Sequence, residues 1–133
     1  DSISESERAD GPSLAHDISV PVADMPRFMT TTAAKVEQAF AGTIASGFGH
    51  LGDGNVHFHV RGEGVMGNEA EISHMVYDLV TLAGGSISAE HGIGQLKLAE
   101  LERLAPPARL HAMRAIKQAL DPLGIMNPGK LVP

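Results

Sequence analysis

The chain has 133 residues, 43% of them hydrophobic and 20% charged, with a net charge of −6 and no cysteine. This is the length of one ordinary domain with enough chain to bury a core, and no apolar run approaches the roughly 20 residues that span a bilayer. The acidic balance argues against a nucleic-acid partner, and the lack of cysteine leaves only His and carboxylate to hold any metal.

The opening residues 1–11 are polar, begin at Asp1 without Met or a signal segment, and read as a fraying end or the end of a truncated helix. His16-Asp-Ile-Ser-Val-Pro21 alternates and ends at proline, which predicts a short strand. Asp24 is expected to cap a helix that tolerates Pro26 in its first turn, sets Phe28, Val36 and Phe40 on one face, and stops at Gly42. Thr43 to Phe48 reads as the next strand. Asn55 to Val60 reads as a third, with Val56, Phe58 and Val60 on one face and Asn55, His57 and His59 on the other. A helix from Asn68 to Ala83 follows, with Asn68 and Glu71 at capping-box spacing and Ile72, Met75, Val76 and Leu79 toward the core. Ser86 to Ala89 alternates as a short strand that delivers Glu90 and His91. Helices are expected over 94–104 and from Pro106-Pro107 onward, the latter with Leu110, Met113, Ile116 and Leu120 on one side, before a loop-forming tail from Asp121 to Lys130. The predicted fold is α+β, a mainly antiparallel sheet covered by helices; a parallel α/β sheet is the alternative, without the glycine loop that would support it.

Seven histidines offer several candidate sites. His16, His74 and His111 stand alone in pattern and are assigned no chemistry. His50 and His57 flank Gly52-Asp53-Gly54-Asn55, a tight-turn sequence that lets the chain double back and bring two imidazoles together. Glu90-His91 adds a carboxylate and another imidazole. His50, His57 and Glu90 suit a divalent ion such as zinc with one position left open, and His91 is left as a base. From the spacing alone, a metal site and a structural turn are equally supported.

Gly49-His-Leu-Gly-Asp-Gly-Asn-Val-His57, Ser88-Ala-Glu-His-Gly-Ile-Gly94 and Leu120-Asp-Pro-Leu-Gly-Ile-Met-Asn-Pro-Gly-Lys130, with the His16 to Pro21 strand before them, resemble the C-terminal domain of FAD-linked oxidases. The branch is that of the D-2-hydroxyacid dehydrogenases, which includes glycolate oxidase flavoprotein subunits, D-lactate dehydrogenases and D-2-hydroxyglutarate dehydrogenases. The resemblance implies a ferredoxin-like sandwich in which 1–133 forms one substrate and metal domain, separated from an N-terminal FAD-binding domain and inactive alone. It implies a divalent metal, commonly zinc, on His50, His57 and Glu90. The metal would polarise the hydroxyl of a 2-hydroxy acid, and His91 would take the proton as hydride passes to FAD. Asn55, His59 and Ser4 are the expected substrate contacts, and Asn127 and Lys130 the weaker flavin contacts. Gly52, Gly54, Gly92 and Gly94 are expected to serve the backbone, and Asp53 the turn.

Two positions depart from that pattern. His59 stands where an amide is usual, and Ala15 where a lysine often precedes the His-Asp of the first strand. Loss of that cation puts a hydroxyglutarate substrate in doubt. Two other classes stay open: a free-standing metallohydrolase using the same ligands, and a non-catalytic dimerisation module with a closed metal site. The expected partners are a small 2-hydroxy acid and an electron acceptor. A homodimer would follow from apolar surface left where a flavin domain docks, and the expected location is the cytoplasm.

Overall fold

The computed structural model describes residues 11–50, 52–130 and 132–133. They form two compact units that divide between His91 and Gly92. Ser4 lies outside the described residues.

The first unit runs β1 (Ser13–Ser19), α1 (Met25–Ala39), β2 (Ile44–His50), β3 (Asn55–Arg61) and α2 (Glu69–Leu82). The three strands form an antiparallel sheet in the order β1-β3-β2. A β-α-β-β-α chain with this order is the split β-α-β arrangement, and it confirms the α+β expectation. Segment Ser86–Ala89, expected as a strand, is not one: it joins the edge of β1 by a single antiparallel bridge, Ser19 to Ser86. Gly85 allows that approach, because a Cβ there would sit 2.1 Å from the Ser19 carbonyl oxygen. Ser86 Oγ then donates to the Ser88 carbonyl, which bends the chain away before a ladder can extend.

The period-two pattern of β3 is realised in full, with Val56, Phe58 and Val60 completely buried. Full burial of side chains this size stabilises by roughly 1.5–3 kcal/mol each. Ile18 from β1, Val36, Phe28 and Met25 from α1, and Ile72, Val76, Tyr77 and Val80 from α2 complete the core. The buried stripe of α2 therefore runs through Tyr77 and Val80, while Met75 and Leu79 are half-buried at its margin. On α1, Thr32 is buried, whereas Phe40 has left the helix in extended geometry. His16 is a core residue: its Nδ1 donates to the Phe58 carbonyl at 3.2 Å, and its Nε2 meets the Ser73 hydroxyl at 3.0 Å.

Neither expected N-cap closes its helix. Asp24 is itself near helical geometry and pairs with Arg27 at 2.8 Å. Asn68 donates its side-chain amide back to the Gly64 carbonyl at 2.9 Å. In both cases a nearby partner takes the polar group that the orphan amides would have used.

The second unit holds α3 (Leu98–Leu104) and α4 (Pro107–Leu120). The helix expected from residue 94 starts at Leu98, because Gly94 has a φ of +62°. On α4 only Leu110 of the expected apolar side is buried, and Ile116 and Leu120 are exposed. The tail is organised by Asp121, a buried carboxylate that pairs with Lys117 and accepts the backbone N–H groups of Ile125 at 3.1 Å and Met126 at 2.9 Å. The Lys117 bond leads in holding the Asp121 carboxyl below its ordinary value of 3.8; burial opposes it and the two backbone bonds assist.

A carboxyl with a depressed folded-state pKa stabilises fully above its unfolded value and loses that contribution as pH falls through the folded value. Asp121→Asn should therefore lower the stability of this unit at neutral pH, with the gap to the native chain narrowing as pH falls below about 3.8. Thermal unfolding against pH, followed for both chains, reads this; a gap that persists unchanged at the acid end would refute it.

Candidate active site on the open face of the sheet

Residues paired across antiparallel strands lie on the same face, so the registers define what the uncovered face carries. Asp17 pairs with His57 and Ala15 with His59 on one side of β3. Phe48 pairs with His57, Ser46 with His59, and His50 with Asn55 on the other. His50, Asn55, His57 and His59 thus share one face. The Phe48 ring lies against both imidazoles of β3, with centroids 5.3 Å from His57 and 5.2 Å from His59.

The turn that closes β2 onto β3 is built as its sequence suggests. The Gly54 amide bonds the His50 carbonyl at 3.1 Å, and Asp53 Oδ1 accepts the Asn55 amide at 3.1 Å. Asp53 is therefore a turn residue. Gly54 takes a φ of +77°, and a Cβ there would meet the Val20 oxygen at 2.3 Å, so glycine is required on two counts.

Glu90 arrives from outside the sheet. Its carboxylate lies 3.9 Å from His57 Nε2, and Asn55 Nδ2 reaches the same oxygen at 3.5 Å, the outer limit of a hydrogen bond. The backbone N–H groups of Glu90 and His91 both donate to Asp17 Oδ2 at 3.0 Å. Ser88 Oγ donates to the His91 carbonyl. Glu90 and His91 are both exposed.

Two zinc donors in tetrahedral geometry with bonds of about 2.1 Å lie roughly 3.4 Å apart. The 3.9 Å between His57 Nε2 and Glu90 Oε1 is within about half an ångström of that, so this pair fits a shared ion. His50 is on the same face, but among the described residues no three His, Asp or Glu side chains gather into a cluster that could hold a metal. The structure thus brings together two of the three expected ligands, with His91 next in the chain. Asn127 and Lys130 belong to the second unit, where Asn127 takes a φ of +46° and its carbonyl accepts the Lys130 amide at 3.2 Å.

Sequence reasoning missed Asp17, whose carboxylate organises the Glu90–His91 segment. An acidic residue on the polar side of an alternating strand looks solvent-facing, and only the fold brings residue 90 beside it.

An α+β domain with a His- and carboxylate-bearing open sheet face is the structural class. Residues 3–131 match the family model described as FAD linked oxidases, C-terminal domain, and the chain belongs to that family. It is 39% identical over 122 residues to D-2-hydroxyglutarate dehydrogenase of Stutzerimonas stutzeri, covering 87% of this chain and 26% of that one. It is 35% identical over 132 residues to the mitochondrial D-2-hydroxyglutarate dehydrogenase of Bos taurus, covering 98% and 24%. With D-lactate dehydrogenase of Archaeoglobus fulgidus the identity is 48% over 86 residues, 64% of this chain and 19% of the relative. The chain spans about a quarter of the length of the first two relatives. Among the described residues no helix is long and apolar enough to cross a membrane.

Proposed function

We propose that this domain forms the substrate side of a flavin-dependent oxidoreductase that converts a D-2-hydroxy acid to the 2-oxo acid. The observation that carries the reading is the approach of Glu90 to His57 on the open sheet face, with His91 adjacent in the chain. The named relatives act on 2-hydroxy acids, and membership of their family weighs against a free-standing hydrolase or a non-catalytic module.

In this reading His57 and Glu90, joined by His50, hold a divalent ion, zinc by donor type. When bound, the ion supplies a Lewis acid and the FAD a two-electron acceptor. The rest falls to the chain itself. His91 Nδ1 or Nε2 takes the α-hydroxyl proton, and with the α-hydrogen leaving as hydride to the two-electron acceptor the substrate loses two electrons and two protons in all. Asn55 and His59, which flank His57 along β3, would contact the substrate; contacts of Ser4 with the substrate and of Asn127 and Lys130 with the flavin are carried over from the family resemblance. Ala15 and His59, the two departures from the branch pattern, are cross-strand partners, and Arg61 follows two positions further along the same face of β3.

The test is metal content and activity of the intact protein, native and His57→Ala. The expected result is a divalent ion in the native protein, held at least about 10-fold more weakly after the substitution, with turnover falling in step. Undiminished turnover in metal-free protein would overturn the ligand assignment.

A further inference from the structure

Asp17 sits where the sheet and the Glu90–His91 segment meet. It lies on the open face of β1 in register with His57. Its Oδ2 accepts two successive backbone N–H groups, from Glu90 and His91, each at 3.0 Å, from more than seventy residues away in the chain. Two adjacent amides converging on one carboxylate oxygen fix both the position and the tilt of the peptide between them. Bonds to an ionised acceptor are roughly twice as strong as neutral ones.

The serines of the segment make further ties. Ser86 bridges to Ser19, Ser86 Oγ donates to the Ser88 carbonyl, and Ser88 Oγ donates to the His91 carbonyl. From the peptide held by Asp17, the Glu90 side chain turns back to within 3.9 Å of His57, the residue paired with Asp17 across the ladder. Asp17, the 90–91 backbone, the Glu90 side chain and His57 thereby form a closed circuit across β1 and β3. The distance between the two strands is set by the sheet, so the carboxylate of Asp17 determines where Glu90 can reach.

We propose that Asp17 is a positioning residue that sets the geometry of Glu90 and His91 against His57 through their backbone amides, without itself touching substrate. The inference rests on the proposed site, and its role is one of geometry: an acceptor oxygen at this position is what the segment requires.

The test compares Asp17→Asn, which keeps an acceptor oxygen, with Asp17→Ala, which removes it, in the intact protein. Hydrogen exchange of the peptide 86–91 reads the positioning, and steady-state oxidation of D-2-hydroxy acids reads its consequence. In the alanine variant the amides of residues 90 and 91 should exchange at least about tenfold faster, and kcat should fall on the order of 100-fold with KM little changed, as expected for misplaced reacting groups. The asparagine variant should keep the protection and most of kcat. Asp17→Ser, polar but too short to reach both amides, carries the same expectation as alanine should that chain fail to fold.

Native exchange in the alanine and serine variants would overturn the proposal. So would an asparagine variant as inactive as alanine with its amides still protected, because the charge itself would then be acting as a ligand or base. If no 2-hydroxy acid reduces the native protein while exchange still follows the asparagine-versus-alanine pattern, the substrate reading fails and the positioning role stands.

Discussion

His91→Ala is expected to lower kcat for 2-hydroxy acid oxidation about 10²- to 10⁴-fold, the range over which a positioned acid–base side chain contributes. The fold should scarcely respond, since the residue is exposed and substitutions at such positions usually stay within about 0.5 kcal/mol. The bonds that hold this segment involve the backbone of residue 91, its N–H to Asp17 and its carbonyl from Ser88 Oγ, and alanine keeps both. Parallel measurement of kcat and of the unfolding midpoint separates the two. A variant with native kcat would remove His91 from the chemistry, and one that loses stability in proportion to activity would make its role structural.

Phe58→Ala should produce the largest loss of stability from a single truncation in the first unit, about 3–5 kcal/mol. Phe58 is completely buried at the centre of the middle strand, opposite His16 on one side and Gly47 on the other. Glycine at position 47 leaves room for the ring: a Cβ there would already touch Phe58 at 3.4 Å and Met29 at 3.1 Å. Since domains of this size are stable by only about 5–15 kcal/mol, the variant should sit near the edge of folding at ambient temperature. Urea unfolding gives the number directly. A loss below about 1 kcal/mol would mean that the core repacks around the void.

Phe58 also separates His57 from His59 in β3, and the same alternation that buries it presents both imidazoles to the open face. That part of the molecule was legible in the sequence, because period two is a local property of six residues. The His50 turn was legible for the same reason: Gly54 can occupy a left-handed conformation at no cost, and Asp53 can bond its own backbone two residues on. The α+β class followed from the order of the elements and the family from three motifs in sequence.

What could not be read locally is what depends on long-range approach. The meeting of Glu90 with His57 spans 33 positions in the chain and depends on Asp17, whose role has no sequence signature. Ser86 to Ala89 alternates like a strand, yet its own serine hydroxyl competes for the backbone and leaves one bridge. The caps at Asp24 and Asn68 failed as expectations for a local reason: each side chain found a partner three or four residues away in the chain instead of the helix amides. The helix expected from residue 94 gave way to the left-handed backbone at Gly94.

On the proposed function, the open face of this sheet serves oxidation of a D-2-hydroxy acid by a bound flavin. The most direct measurement is anaerobic mixing of the intact, flavin-loaded protein with D- and L-enantiomers of a panel of 2-hydroxy acids while the flavin absorbance is followed through a single turnover. Bleaching is expected with at least one D-enantiomer, weaker or none with its L-form, with loss of the fast phase in His57→Ala. A native protein replete with flavin and divalent ion that no 2-hydroxy acid bleaches would contradict it.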